Sequence, residues 1–449
     1  MDIQRLYAAF KECGRVTTDS RAISGGELFF ALKGENFDGN EYALKALDAG
    51  AGFAVVDEKA AVAASGDPRL IAVPDTLEAL QALARHHREN TFVDGRRLTV
   101  IGLTGTNGKT TTKELITKVL SVKYNVTSTQ GNLNNDIGVP LSVLGINSGT
   151  QLAVIEMGAN HPDDIERLVK VCEPDYGLIT NVGKAHLLGF GSFEGVKKAK
   201  GKLYDYLAEH GGSIFLNADD RDLVAMAAER KGLNVIDYGI EYWGAMVLPS
   251  DAAHPFVRMA VPESAENLLC LETHLAGAYN ATNIAAAIAV GLHFGVSLED
   301  AIQAVSEYIP KNNRSQLEKT ERNILIEDAY NANPTSMAAA LENLATVQTP
   351  LKAAMLGDMR ELGTESVAEH IAILKKLLSM HLDLVCLVGE EFRKALEEVT
   401  EPVEETSNTK WFPTSDDLVA WLKENPVSDH TILIKGSRGI RMEKILPEL

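Results

Sequence analysis

The stretch IGLTGTNGKTTT, residues 101–112, constrains this chain more than any other. An apolar run, LTVIGL (98–103), feeds into glycines, a lysine and a run of threonines. A strand that delivers the chain into a glycine turn, with a helix opening at Lys109, gathers backbone N–H groups and the positive end of a helix dipole at one point. That is the local design of a phosphate-binding loop. Its spacing is unusual. The common pattern Gly-x-x-x-x-Gly-Lys-[Ser/Thr] would put its first glycine at residue 103, and this chain has Leu103 there. Gly105, Asn107 and Gly108 tolerate positive φ. Thr106 lies inside the turn. Lys109 would face the β- and γ-phosphates of a nucleotide, and Thr110 or Thr111 would offer a hydroxyl to Mg²⁺. The competing interpretation is a glycine-rich turn with a threonine cap. The strand–loop–helix context favours the nucleotide.

A nucleotide loop in a chain of 449 residues leaves room for about three domains. The chain is 45% hydrophobic and 23% charged, an ordinary composition for a folded soluble protein. Its net charge of −19 argues against binding nucleic acid or an anionic membrane. A few cations at one site can still hold a small anionic substrate. The four cysteines, Cys13, Cys172, Cys270 and Cys386, form no Cys-x-x-Cys pair, so neither a disulfide framework nor a thiolate metal site is expected. MDIQRLYAAF lacks the features of a signal peptide. The apolar stretch 281–296 is interrupted by Asn283, Gly291 and His293 and is too short to span a bilayer. A cytoplasmic protein without membrane insertion is expected.

The fold class is α/β, with three domains. Residues 1–96 read as a small N-terminal α/β domain, with a turn at Asp94-Gly95 near its end. Residues 97–310 alternate strand and helix: the strand 98–103, a helix from about 109 to 122, the strand LAVIE (152–156), the helix IERLVKVC and the strand in DYGLITNVG. That alternation predicts a parallel sheet covered on both faces. Residues 311–449 alternate again and read as a doubly wound, Rossmann-like sheet. Polar motifs fall just past its strands, at Asp328, Gly357-Asp358 and Lys435-Gly436-Ser437, where open parallel sheets bind ligands. SGDP and EPVEETSNTK read as loops.

Further residues fit a phosphate-transfer site. Glu156 ends the strand LAVIE, a suitable place for a carboxylate that holds Mg²⁺. His186 follows LITNVG; on chemistry alone it reads as a loop or core histidine, because His rarely binds Mg²⁺. The segment 192–207 has helical periodicity, with Phe193, Val196, Leu203, Tyr204 and Leu207 on one stripe. Lys200 falls inside that stripe, whereas Lys198 and Lys202 point away. Either its stem snorkels over apolar surface, or the amine is held near a metal or an acidic site.

These segments together resemble the Mur ligase family, the ATP-dependent amide ligases of peptidoglycan precursor synthesis. The resemblance runs over nearly the whole chain: TGTNGKTT (104–111), IEMGAN (155–160), NVGKAHLLGFGS (181–192), AKGKL (199–203), GAYNATNIAAA (277–287), NRSQ (313–316), EDAYNANPTS (327–336), LGDMRELG (356–363) and LIKGSRG (433–439). Within the family it looks most like the branch that adds D-alanyl-D-alanine to UDP-N-acetylmuramoyl-tripeptide, on STQGNLNNDIGVP (128–140), YNANP and LGDMRELG.

The resemblance implies the short Gly-Thr-Asn-Gly-Lys-Thr loop and a role for each oddity. Lys109 would grip the γ-phosphate, with Thr110 near the magnesium. Glu156 and His186 would bind Mg²⁺. Lys200 would carry an N6-carboxylate (carbamate) beside the metals. Asn280 and Asn283 would bracket the adenine, Arg314 would reach the phosphates, and Asp328 and Tyr330 would close the nucleotide from the third domain. Thr18, Ser20 and Arg21 would sit near the uridine diphosphate, and Asn132, Asn134 and Asn135 near the muramoyl-peptide. The catalytic set would be Lys109, Lys200, His186 and Arg314. Residues 1–96 would bind the UDP-muramoyl substrate, 97–310 the ATP, and 311–449 would close over ATP and take the dipeptide. Two positions depart from the family: Leu188, where many relatives have Glu, and Lys202, where Ala-Lys-Gly-Glu is common. A monomer is expected, since no exposed apolar helix stands out. The rivals are a ligase of the family with another acceptor, a kinase using the same loop, and a nucleotide-binding regulator without catalysis.

Overall fold

The computed structural model of the protein describes residues 2–34, 36–249, 254–264, 266–311, 314, 316–399 and 408–449. Three parallel sheets follow one another along the chain, each covered by helices. The first runs in the order Val16–Thr17, Leu28–Phe30, Phe53–Asp57, Leu70–Val73. A short hairpin, Phe92–Val93 with Arg96–Arg97, turns at Asp94 and Gly95, both at positive φ, and leads into the central sheet.

The central sheet has six parallel strands in the order Val126–Ser128, Leu152–Glu156, Thr99–Thr104, Tyr176–Ile179, Ser213–Asn217, Asn234–Tyr238. Leu152–Glu156 is wholly buried and Thr99–Thr104 nearly so, which explains their unbroken apolar runs. The chain leaves Thr99–Thr104 towards one edge of the sheet and later returns to pair on its other side at Tyr176–Ile179. The sheet order therefore reverses at the carboxyl end of Thr99–Thr104, and a crevice opens there. The helix Lys109–Leu120 starts in that crevice and packs along the Ala-rich helix Asn280–His293. A Cβ on Gly291 would come within 2.4 Å of Val119 Cγ1, so the two helices approach closely there.

Two elements fall outside the alternation read from the sequence. Met246–Leu248, Arg258–Pro262 and Leu268–Glu272 form an antiparallel sheet. The C-terminal sheet also begins with an antiparallel strand, Gln316–Lys319, beside Ile324–Asp328. The rest of that sheet is parallel, in the order Ile324–Asp328, His430–Lys435, Leu351–Gly357, Leu384–Val388, Thr409–Phe412. The loops 329–333, 358–363 and 436–439 leave its carboxyl ends side by side. Asn313 and Ser315 of the NRSQ motif, and most of the loop EPVEETSNTK, lie outside the described residues.

The joins between the domains differ in kind. One apolar cluster runs from Leu6 and Leu80 in the N-terminal domain to Val139, Ile155 and Leu168 in the central one. Arg88, fully buried, crosses the same boundary to the Asp175 carboxylate at 2.8 Å and the Cys172 carbonyl at 3.1 Å. The C-terminal sheet is built around its own two apolar clusters. Named polar contacts tie it to the central domain. Lys184 meets Glu369 at 2.7 Å, His186 meets Glu361, and Asn107 meets Asn333.

Candidate active site

The crevice of the central sheet and the loops of the C-terminal sheet face each other across a cleft of about 1090 Å³. The phosphate loop forms its floor. Gly105 (φ +154) leaves no room for a Cβ, which would lie 1.9 Å from Thr180 Oγ1, and a Cβ on Gly108 (φ +78) would lie 2.6 Å from Asn283 Oδ1. Asn107 does not share their conformation: its φ is not positive. Asparagine is held instead by partners. Its backbone N–H donates to Asn181 Oδ1 at 3.0 Å, and its carbonyl accepts from Thr180 Oγ1 at 2.5 Å. Thr106 N donates to the Asn181 carbonyl. The strand end TNVG thus fixes the loop from behind, a role the sequence reading did not assign to Thr180 or Asn181.

Lys109 curls over its own loop, donating to the carbonyls of Gly105 at 2.8 Å and Thr106 at 3.1 Å. Burial pushes its pKa down to about 8; Glu156 opposes that shift and Arg314 adds to it. Thr110 Oγ1 donates to Glu156 Oε1 at 3.2 Å, and Asn134 Nδ2 donates to the same oxygen at 2.8 Å. Glu156 Oε2 is buried with no hydrogen-bond partner. A buried carboxylate oxygen without a donor is costly, and beside a phosphate-loop threonine it suits a hard cation. Among the described residues no three His, Cys, Asp or Glu side chains come together as a ready-made metal site. A site of this kind relies on one or two carboxylates and the substrate's own phosphates.

Lys200, on the helix Phe193–His210, is 2% exposed. Among the described residues no hydrogen bond or ion pair reaches its amine, whose near contact is the Phe190 ring at 5.9 Å. Burial holds it well below the ordinary lysine value, and Lys109 nearby adds to that. Lys202, one of the two departures, pairs outside with Glu166 at 3.0 Å.

His186 stands at φ +51 and Glu361 at φ +65. Both are left-handed, a conformation that costs a non-glycine residue about 1–2 kcal/mol. His186 Nδ1 bonds the Glu361 carboxylate across the domain boundary, and Leu188 N donates to the Glu361 carbonyl at 3.2 Å. Leu188, the second departure, is 72% exposed and offers its backbone to the contact. Burial lowers the His186 pKa; Glu361 opposes the shift, and Lys109 and Lys200 add to it.

The asparagines of the helix Asn280–His293 do not stand free. Asn283 Nδ2 donates to Asn280 Oδ1 at 2.9 Å, Asn280 Nδ2 to the Ala276 carbonyl, and Thr112 Oγ1 to Asn283 Oδ1. Both residues still line the cleft. Asn132, Asn134 and Asn135 line it too, but Asn135 Oδ1 accepts from Gly138 N at 2.8 Å and is engaged in a local turn.

On the opposite wall, the Arg314 guanidinium lies 3.8 Å from the centre of the Tyr330 ring. Asp328 pairs with the buried Lys435 at 2.5 Å. Asp358, expected among the ligand-facing polar motifs, instead caps the helix Glu390–Glu398, accepting from Glu391 N and Phe392 N. The neutral His370 ring accepts from Met359 N at 3.0 Å and secures the same loop. Thr18, Ser20 and Arg21 are not in the cleft. They stand at the end of Val16–Thr17 in the N-terminal domain, where Asp19 holds the Arg21 guanidinium at 2.8 Å.

A phosphate loop at the switch point of a parallel sheet, faced by a second Rossmann-like domain across a cleft lined by charged side chains, defines a nucleotide-dependent enzyme built from closing domains. Family models agree. "Mur ligase family, catalytic domain" matches residues 13–88, "Mur ligase middle domain" 103–291, and "Mur ligase, glutamate ligase domain" 313–438. The chain is 34% identical over 436 residues to the UDP-N-acetylmuramoyl-tripeptide--D-alanyl-D-alanine ligase of Bacillus subtilis strain 168, covering 97% of this chain and 92% of that one. It is 35% identical over 446 residues to the enzyme of the same name from Escherichia coli K12, covering 97% and 93%. Among solved structures, MurF from Acinetobacter baumannii superposes with a TM-score of 0.85 at 30% identity, over 100% of this chain and 98% of that one. MurF from Thermotoga maritima in complex with ADP gives 0.81 at 26% identity, over 97% and 96%. The chain belongs to the Mur ligase family, as a ligase of the MurF type. It is an ATP-dependent enzyme of peptidoglycan precursor synthesis, and among the described residues no helix is long and apolar enough to cross a membrane.

Proposed function

We propose that this chain joins D-alanyl-D-alanine to the terminal carboxylate of UDP-N-acetylmuramoyl-tripeptide, with ATP converted to ADP and phosphate. The observation that carries the reading is that Lys109 and the half-satisfied Glu156 line a cleft walled by two domains, with the buried Lys200 near enough to feel the charge of Lys109. The peptide carboxylate attacks the γ-phosphorus of ATP, ADP leaves, and an acyl phosphate forms. The dipeptide amine then attacks the carbonyl carbon. The new C–N bond forms, the amine gives up its proton, and the C–O bond to phosphate breaks.

The peptide carboxylate, the phosphates and the tetrahedral intermediate are all anionic, so the chain's part is electrostatic. Lys109 and Arg314 attract the phosphates. Glu156 with Thr110 would hold Mg²⁺, joined by His186 and a carbamate on Lys200. Bound there, the ion would neutralise charge on the transferring phosphoryl group. A neutral, desolvated lysine amine can take up CO₂ and release a proton, and the resulting carbamate would replace an unpaired buried amine with a group that the neighbouring cations favour. Asn280 and Asn283 form the wall for the adenine, and Asp328 and Tyr330 close over the nucleotide from residues 311–449. Residues 1–96, with Thr18, Ser20 and Arg21, take the uridine diphosphate, and Asn132 and Asn134 face the muramoyl-peptide. Closure of the third domain excludes water and protects the acyl phosphate. The enzyme is taken to act as a cytoplasmic monomer.

The test is phosphate release from ATP·Mg²⁺ and UDP-N-acetylmuramoyl-tripeptide, with and without D-Ala-D-Ala. Release that requires the dipeptide and yields a pentapeptide mass supports the reading. Release only with the UDP-muramoyl-dipeptide and a free diamino acid moves the chain to another acceptor.

A further inference from the structure

The helix that opens at the phosphate loop buries a lysine one turn in. Lys113 is 3% exposed and does not line the cleft, so phosphate binding does not account for it. A lysine in the interior is costly unless its amine finds partners. Here Nζ donates to the Thr129 carbonyl at 2.7 Å, and the Glu114 carboxylate stands 3.6 Å away. Thr129 is fully buried and held on three sides. Its N–H donates to the Val154 carbonyl at 3.1 Å, its Oγ1 accepts from Glu156 N at 3.0 Å, and its carbonyl takes the Lys113 bond. It follows the strand Val126–Ser128 and precedes an exposed turn, Gln130, Gly131 and Asn132. Asn132 lines the cleft. The far end of the turn is set separately. Ser142 Oγ donates to the Leu133 carbonyl at 3.2 Å, Gly158 N to the Asn134 carbonyl at 2.7 Å, and Asn134 Nδ2 to Glu156 Oε1 at 2.8 Å. Thr110, three residues before Lys113 and so on the same helix face, donates to that Glu156 oxygen. One helix face therefore supports both ends of the turn, through Thr129 and through Glu156.

We infer that Lys113 is a positioning residue for the muramoyl-peptide: through Thr129 it fixes where the turn Gln130–Asn132 enters the cleft, and so where Asn132 stands. This rests on the ligase reading, which gives Asn132 and Asn134 that substrate. It assigns a task to a side chain that touches neither substrate nor nucleotide. An exposed turn takes its position from its anchors. Without Lys113 the Thr129 carbonyl is buried with no donor among the described residues. Relief of that cost turns the peptide plane between Thr129 and Gln130, and the turn swings with it. The phosphate loop is held elsewhere, by Asn181 and Thr180. The loss is therefore felt at the peptide and not at the nucleotide.

The experiment compares wild type, Lys113→Met, which keeps an apolar stem, and Lys113→Gln, which keeps a donor. In Lys113→Met, KM for UDP-N-acetylmuramoyl-tripeptide should rise about tenfold, the worth of a charge-assisted bond to a buried carbonyl. KM for ATP, and ADP affinity by calorimetry, should stay within about twofold. Lys113→Gln should recover part of the loss. Hydrogen exchange gives a second readout that needs no substrate. The bonded amides of Thr129, Leu133 and Asn134 should exchange at least about tenfold faster in Lys113→Met, while the strand Thr99–Thr104 keeps its protection. A KM rise confined to ATP, or a fall in kcat alone, overturns the inference. So does faster exchange throughout the central sheet, which makes Lys113 a plain core residue. Unchanged exchange at residues 129–134 with ligation intact overturns it and leaves the ligase reading standing. A wild type that ligates no acceptor sinks both.

Discussion

Asn333 Nδ2 donates to Asn107 Oδ1 at 2.7 Å, so the tip of the phosphate loop is bonded to the first residue before the helix Pro334–Thr346. The two asparagines lie in different domains, 226 positions apart. Asn333 also caps its own helix, accepting from Ser336 N at 2.9 Å. The bridge therefore links nucleotide binding to the position of the C-terminal domain, and it can be cut from either side with different consequences.

Asn107→Ala removes the bridge and spares the cap. KM for ATP should rise by about 2- to 10-fold, the worth of one hydrogen bond, with the thermal midpoint nearly unchanged. Asn333→Ala should show the same kinetic defect and also lose about 1 kcal/mol of stability through the cap. Initial rates and thermal melts of the two variants decide it. Identical melting of both would refute the division of roles.

Glu156→Gln keeps an acceptor for Thr110 and Asn134 but removes the charge from the buried orphan oxygen. The Mg²⁺ concentration for half-maximal activity should rise at least about tenfold, with little change in melting. A titration of activity against Mg²⁺ reads this directly. An unchanged requirement would mean that Glu156 serves the loop and holds no ion.

Lys200→Met replaces an unpartnered buried amine with an apolar side chain of similar shape. The thermal midpoint should hold or rise, because a buried polar group without a partner is lost, while ligation falls by about 100-fold or more. Depleting CO₂ should lower wild-type activity, and bicarbonate should restore it in wild type alone. A variant that melts early would assign the lysine a structural task.

Lys109 is held down to about 8 by burial. A lysine with a lower pKa folded than unfolded disfavours folding below the folded value, and the penalty is relieved as pH rises from about 8 towards the ordinary value of 10.5. Free-enzyme stability should therefore gain a positive contribution over that window. Bound phosphates favour the charged amine, so nucleotide binding at about pH 9 should take up close to one proton, and nearly none at about pH 6.5. Calorimetry in buffers of differing ionisation heat measures the uptake. Lys109→Arg, charged throughout, should abolish it.

Several features of this site are local enough to be read from sequence. Gly105 and Gly108 betray a turn that only glycine fills, Glu156 ends an apolar strand, and Lys200 breaks a helical stripe. Asn107 could have taken a left-handed turn by residue type, and only its partners Asn181 and Thr180, distant in sequence, decide its conformation. The antiparallel strands Met246–Leu248, Arg258–Pro262 and Leu268–Glu272 escape the sequence pattern because they are only three to five residues long and stand outside the strand–helix alternation.

The sequence by itself determined the phosphate loop, the alternation that makes parallel sheets, and the residue types that meet a nucleotide. These are signals carried within a strand, a turn or a helix face. The tertiary structure decided which of those residues are free. Asp358 became a helix cap, Asn280 and Asn283 bonded each other, and Asp19 took the Arg21 fork. It also decided the pairs His186–Glu361 and Asn107–Asn333, separated by 175 and 226 positions. Pairs so distant depend on how two sheets dock across a cleft. No local periodicity encodes that docking, because the contacts are polar, few, and formed only when both domains are already folded.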